Sequence, residues 1–141
     1  MKKIRQIILL FILVLLFSCE DQGLIIYCPD CFETEPVKAE IEAKLENNKY
    51  YPDVLIQIWE GNLEDSILVD SYSYGSYLET FRHEVTINKK YTFTATYNIL
   101  STRYVAVDSA TPRVKFDKQQ CNNPCFFVYD RKVDLRLKFA K

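Results

Sequence analysis

The feature that most limits what this chain can fold into is a strict two-residue alternation. From residue 91 to 99, Tyr91, Phe93, Ala95, Tyr97 and Ile99 share one parity, with Thr92, Thr94, Thr96 and Asn98 between them. Successive side chains of an extended chain point to opposite faces, so this pattern predicts a strand with one buried face. The same period recurs. In residues 37–46 apolar residues fall at 37, 39, 41, 43 and 45 with charges between them. The composition there (Ala, Glu, Lys, Leu) suits a helix, but a helix would smear the stripe around its circumference, so a strand is expected.

Further strands follow in order. Residues 53–59 carry apolar groups on both faces, as a central or doubly covered strand does, and 67–74 is a further candidate. Residues 80–87 align Phe81, His83, Val85 and Ile87. Shorter strands are expected at 104–107, 114–116 and 126–129, and 133–139 alternates cleanly again. Asn47-Asn48-Lys49, Glu60-Gly61-Asn62 and Asn88-Lys89-Lys90 are turn material. Pro112 and Pro124 fall between strands, where a missing amide does least harm. Ten Tyr and nine Phe in 141 residues suit half-buried sheet surfaces. Eight or nine strands without a convincing long helix predict an all-β fold, an antiparallel Ig-like or transthyretin-like β-sandwich of about 8 strands.

Residues 37–139, with INKKYTFTATY at 87–97, are similar to transthyretin-like, carboxypeptidase-regulatory-like and Cna-B-like domains. That resemblance implies a Greek-key sandwich used as a spacer, adhesion or ligand-presenting module. Cna-B-like domains often crosslink a Lys of the first strand to an Asn of the last. Here Lys38 and Lys44 fall on the expected solvent face, and the last strand offers Asp134 but no Asn. The crosslink is therefore not carried over.

The amino end is of another kind. Lys2, Lys3 and Arg5 precede an unbroken apolar run from residue 7 to 17, and Leu16-Phe17-Ser18-Cys19 closes it. The run is shorter than the roughly 20 apolar residues that span a bilayer. A basic start, a short apolar run and a small residue before a cut describe a secretory signal. With Cys19 directly after that cut, the stretch resembles a bacterial lipoprotein signal with its lipobox, although Phe17 is bulkier than is usual there. An ordinary secretory signal is the alternative. The resemblance implies residues 1–18 as signal peptide, a diacylglyceryl thioether and an acylated amino group on Cys19, and a membrane anchor without a span. Glu20 and Asp21 follow. The outer membrane is the expected location, with its periplasmic and outward faces both open.

Residues 19–36 then form a short leader and 37–141 the sandwich domain. Leu24, Ile25, Ile26 and Tyr27 are apolar enough to pack on the domain or to extend a sheet edge. Loss of residues 1–18 removes Lys2, Lys3 and Arg5 from 18 basic residues, leaving 15 against 19 acidic ones. A mildly acidic chain without a basic run offers no footprint for nucleic acid.

Four more cysteines stand in two pairs, Cys28 and Cys31 in C-P-D-C, Cys121 and Cys125 in C-N-N-P-C. Two disulfides are expected in an exported chain, with three connectivities open. Bridges joining the leader to the late loop are favoured, since local pairing staples nothing distant. A structural zinc site with four ligands is the alternative. A redox role for C-x-x-C lacks the following helix that would lower a thiol pKa.

No catalytic site stands out. His83 is the only histidine and shares a face with Phe81, Val85 and Ile87, so it reads as structural. There is no G-x-S-x-G elbow and no glycine-rich phosphate loop. A non-enzymatic envelope module without cofactor, structural or protein-binding, is the leading expectation. The second is a glycan-binding surface lipoprotein in which Tyr72, Tyr74 and Tyr77, around Gly75, stack on sugar faces.

Overall fold

The computed structural model describes residues 27–46, 53–65, 67–75, 78–118 and 120–138. Among these described residues nine strands form in chain order: β1 (Lys38–Lys44), β2 (Val54–Glu60), β3 (Ile67–Tyr74), β4 (Thr80–Thr86), β5 (Tyr91–Ile99), β6 (Thr102–Ala110), β7 (Arg113–Asp117), β8 (Cys125–Tyr129) and β9 (Lys132–Asp134). They make a four-stranded sheet ordered β3-β2-β5-β6, a three-stranded sheet ordered β4-β1-β9, and the β7-β8 hairpin. The fold is all-β, and its two principal sheets pack as a sandwich.

Alternation decides which side chains meet between the sheets. Ile56, Phe93 and Ala95 come from the larger sheet, Ile41 and Ala43 from the smaller, and all five are wholly buried. Tyr97, Ile58 and Leu135 complete the largest fully buried group with Phe93, Ile41, Ile56 and Pro112. Burying an aliphatic or aromatic side chain of this size contributes about 1.5–3 kcal/mol. The threonine parity of β5 faces outward, yet Thr92 and Thr94 are also buried, because β5 lies between β2 and β6.

Residues 37–46 do form a strand, paired antiparallel with β4 from Lys38↔Thr86 to Lys44↔Thr80. Three details differ from the sequence-based expectation. The chain closes with β9 parallel to β1, through Glu42↔Lys132, Ala43↔Val133 and Lys44↔Asp134. Alternation does not encode strand direction, so an all-antiparallel reading misses this pair. β9 is also shorter than the alternating run. The Leu135 amide still donates to the Lys44 carbonyl at 2.8 Å. Asp134 then accepts hydrogen bonds from the Arg136 backbone amide (3.2 Å), Nε (2.8 Å) and Nη2 (2.7 Å), and the chain bends there. A short acidic side chain bonding the amide two residues on gives the backbone a partner outside the sheet. β6, conversely, runs past residues 104–107, because β5 supplies ladder partners from Thr102 to Ala110.

Tyr97 locks the closing segment. Its hydroxyl donates to the Leu135 carbonyl (2.9 Å) and accepts from the Glu46 amide (3.0 Å). One buried phenol thus serves the ends of β1 and β9. Burial pushes its pKa up to about 12, the largest cause being loss of water around the charged form.

Candidate functional site

The most chemically dense region is where the leader meets the β7-β8 hairpin. Residues Cys28–Asp30 form a single 3-10 turn with Pro29 in its first positions, where a missing amide costs nothing. The Cys31 amide returns to the Cys28 carbonyl at 3.2 Å, presenting both thiol positions of C-P-D-C from one tight turn. On the other side, Cys121 lies in the hairpin loop and Cys125 opens β8. Cys28 is bonded to Cys121 and Cys31 to Cys125. Both disulfides run from leader to late loop, across 93 and 94 residues respectively.

The junction does not rest on sulfur alone. Phe32 and Phe126 exchange backbone hydrogen bonds of 2.8 and 2.9 Å, adding one rung of sheet beside β8. Arg131 Nη2 bonds Asp30 Oδ2 at 2.8 Å. The Phe126 ring in turn lies 4.8 Å from that of Phe116. Sequence reasoning favoured the direction of the bridges but missed this rung, because a lone Phe32 carries no periodicity.

Cys31 and Cys121 belong to different disulfides, yet their sulfurs are 3.7 Å apart. The sulfurs of Cys31, Cys121 and Cys125 all lie within 4.8 Å of one another. Cys28 is bonded to Cys121 but falls outside that trio. The arrangement therefore has two chemical capacities, covalent crosslinking as disulfides and coordination of a soft ion as thiolates.

A second cluster sits at the edge where β3 and β4 approach. Tyr72 and Tyr74 are half-buried and pack on the core. The Tyr72 ring lies 5.1 Å from Phe81 and 5.8 Å from His83, and Tyr74 lies 5.9 Å from Phe81. The Tyr72 hydroxyl donates to Asp70 Oδ2 and lies 3.3 Å from His83 Nδ1. That hydroxyl holds the Asp70 carboxyl below the usual carboxylate range, and Asp70 raises the Tyr72 phenol in return. The structure brings Tyr72 and Tyr74 together, with rings engaged by Phe81 and His83 rather than set out as open platforms. Tyr77, the third proposed glycan contact, lies outside the described residues, as do Cys19 and residues 24–26 of the leader. Tyr27 is described and exposed.

A polar cleft of about 350 Å³ lies beside the stapled leader, lined by Asp30, Glu40, Glu42, Arg82, Arg131 and Lys132. Three acids face three bases, and Arg82–Glu42 (3.0 Å) and Arg131–Asp30 (2.8 Å) pair within it. Arg82 holds the Glu42 carboxyl below its ordinary value. A lining of balanced charge attracts neither ion sign strongly.

No family model matches the chain, and neither a curated protein nor a solved structure matches it.

Proposed function

We propose that this chain is a non-enzymatic, lipid-anchored protein of the cell envelope, a structural or protein-binding β-sandwich module held at the outer membrane through Cys19. The observation that carries this reading is the double covalent joint between leader and sandwich. Cys28 follows Cys19 by nine residues, and Cys28 and Cys31 are both bonded into the β7-β8 hairpin. A sandwich carried at the end of a limp tether needs no such joint. One that must hold a fixed attitude toward the surface it is anchored to does. The apolar Leu55, Leu68, Val105 and Val107, all partly exposed on the larger sheet, favour an edge or face that meets another protein.

The test combines fatty-acid labelling with crosslinking in intact bacterial cells. An alkynyl palmitate probe is expected to label the wild-type chain and to leave Cys19→Ser unlabelled and out of the membrane fraction. A photo-crosslinking residue at Val107 is expected to give one discrete adduct that the same residue at Lys38, on the other sheet, does not give. Equal sedimentation of wild type and Cys19→Ser, without label on either, would defeat the anchored reading.

A further inference from the structure

We propose that the four cysteines are also a metal site: when both disulfides are reduced, Cys28, Cys31, Cys121 and Cys125 bind one Zn²⁺ as four thiolates. The inference does not depend on the lipid anchor.

Three observations carry it. The first is distance. Zn–S bonds of about 2.3 Å in a tetrahedron put neighbouring sulfurs about 3.8 Å apart. Cys31 and Cys121, which are not bonded to each other, are 3.7 Å apart, and Cys125 completes a trio within 4.8 Å. Cys28 lies outside that trio, so once its bond to Cys121 is broken its thiol must swing toward Cys31 and Cys125 to take the fourth corner.

The second is arrangement along the chain. Cys28 and Cys31 have two residues between them, Cys121 and Cys125 three, both within the spacing of structural zinc ligands. Neither disulfide closes within a pair; both cross between them. Reduction therefore leaves two chelating pairs facing one another, with none already consumed locally.

The third is what holds the pairs in place without sulfur. The Phe32–Phe126 rung and the Arg131–Asp30 ion pair join the same two segments. They reduce the ordering that a metal would otherwise have to impose.

The chemistry balances in two steps. Each disulfide takes two electrons and two protons from a dithiol reductant, which leaves as its own disulfide, and four thiols result. Zn²⁺ then displaces four protons and is held by four thiolates, with no change of oxidation state. The two forms cross-link the same segments, so the domain keeps its leader joint in either state. Cys125 is buried and Cys31 and Cys121 are half-buried, which shields three of the sulfurs from competing water, while Cys28 is exposed and forms the outer corner.

The experiment uses the full chain in detergent with Cys19→Ser, so that no fifth thiol competes. After reduction by a phosphine and removal of metals, Co²⁺ is titrated in as a spectroscopic stand-in for Zn²⁺. One equivalent is expected to produce the intense visible bands of a tetrahedral thiolate site, and one equivalent of Zn²⁺ to abolish them. Native mass spectrometry should show one zinc, and denatured protein four free thiols. Cys28→Ser and Cys121→Ser should each weaken Co²⁺ binding at least about tenfold. If the reduced chain loses its strand signature in circular dichroism, one equivalent of Zn²⁺ must restore it. Failure to restore it overturns the site, as does a folded reduced chain without the cobalt bands, or bands unchanged in both serine variants.

Discussion

Tyr97 shows how much a single side chain can settle. Its ring belongs to the alternating stripe of β5 and is wholly buried. Its hydroxyl does something no period reports, serving the Glu46 amide and the Leu135 carbonyl at once. Tyr97→Phe keeps the packing and strands both groups, so a loss of about 1–3 kcal/mol is expected, read as a lower urea midpoint. Its pKa is pushed up to about 12 from an ordinary 10.0. A raised folded-state value means the contribution is whole below pH 10 and is lost as pH rises through 12. Wild type should therefore lose stability across that window, and Tyr97→Phe should lose less. A variant curve parallel to wild type would assign the alkaline loss elsewhere.

At the scale of elements, the strands were the legible part. β1, β4 and β5 are written in period two, β2 shows apolar residues on both faces, and β3 is legible only as an apolar run followed by alternating tyrosines. What was not legible is pairing. β9 lies parallel to β1, and nothing in Lys132–Asp134 states direction. The cysteine joint was half legible. Spacing identified two pairs, and the cost of leaving the leader free argued for bridges between them. The pairing itself and the Phe32–Phe126 rung came only with the fold. Chain-entropy estimates give about 4–5 kcal/mol for a first bridge across more than ninety residues, and less for a second beside it. Serine at either Cys31 or Cys125 should thus cost little, while serine at all four should lower the melting temperature steeply in metal-free buffer. A quadruple variant melting with wild type would show that the joint bears no stability.

The whole molecule answers to acid through several surface carboxylates rather than through one. Arg136 holds Asp134 well below the usual range, Arg82 does so for Glu42, and the Tyr72 hydroxyl for Asp70. Depressed folded-state values make stability present above the ordinary carboxylate range and lost as pH falls through and below about 4. These groups are solvent-screened, so the loss from Asp134 should stay under about 1 kcal/mol. Asp134→Asn is expected to flatten the melting-temperature curve between pH 5 and 2, most visibly at low salt. An unchanged slope would mean that other carboxylates govern the acid limb.

The two bridges also fix where tension would travel. β1 to β7 all lie inside the covalent loop that Cys28 and Cys121 close. A pull between the leader and the segment after β9 passes from Cys28 and Cys31 straight into the 121–125 loop, then along β8. The ninety-odd residues that make up most of the sandwich sit in a covalent bypass and are loaded only through the rungs that hold β9 and Leu135 to β1 and Tyr97. In the oxidised chain only a short run near β8 and β9 can extend under force, whereas cutting the sulfur links would place every strand in series.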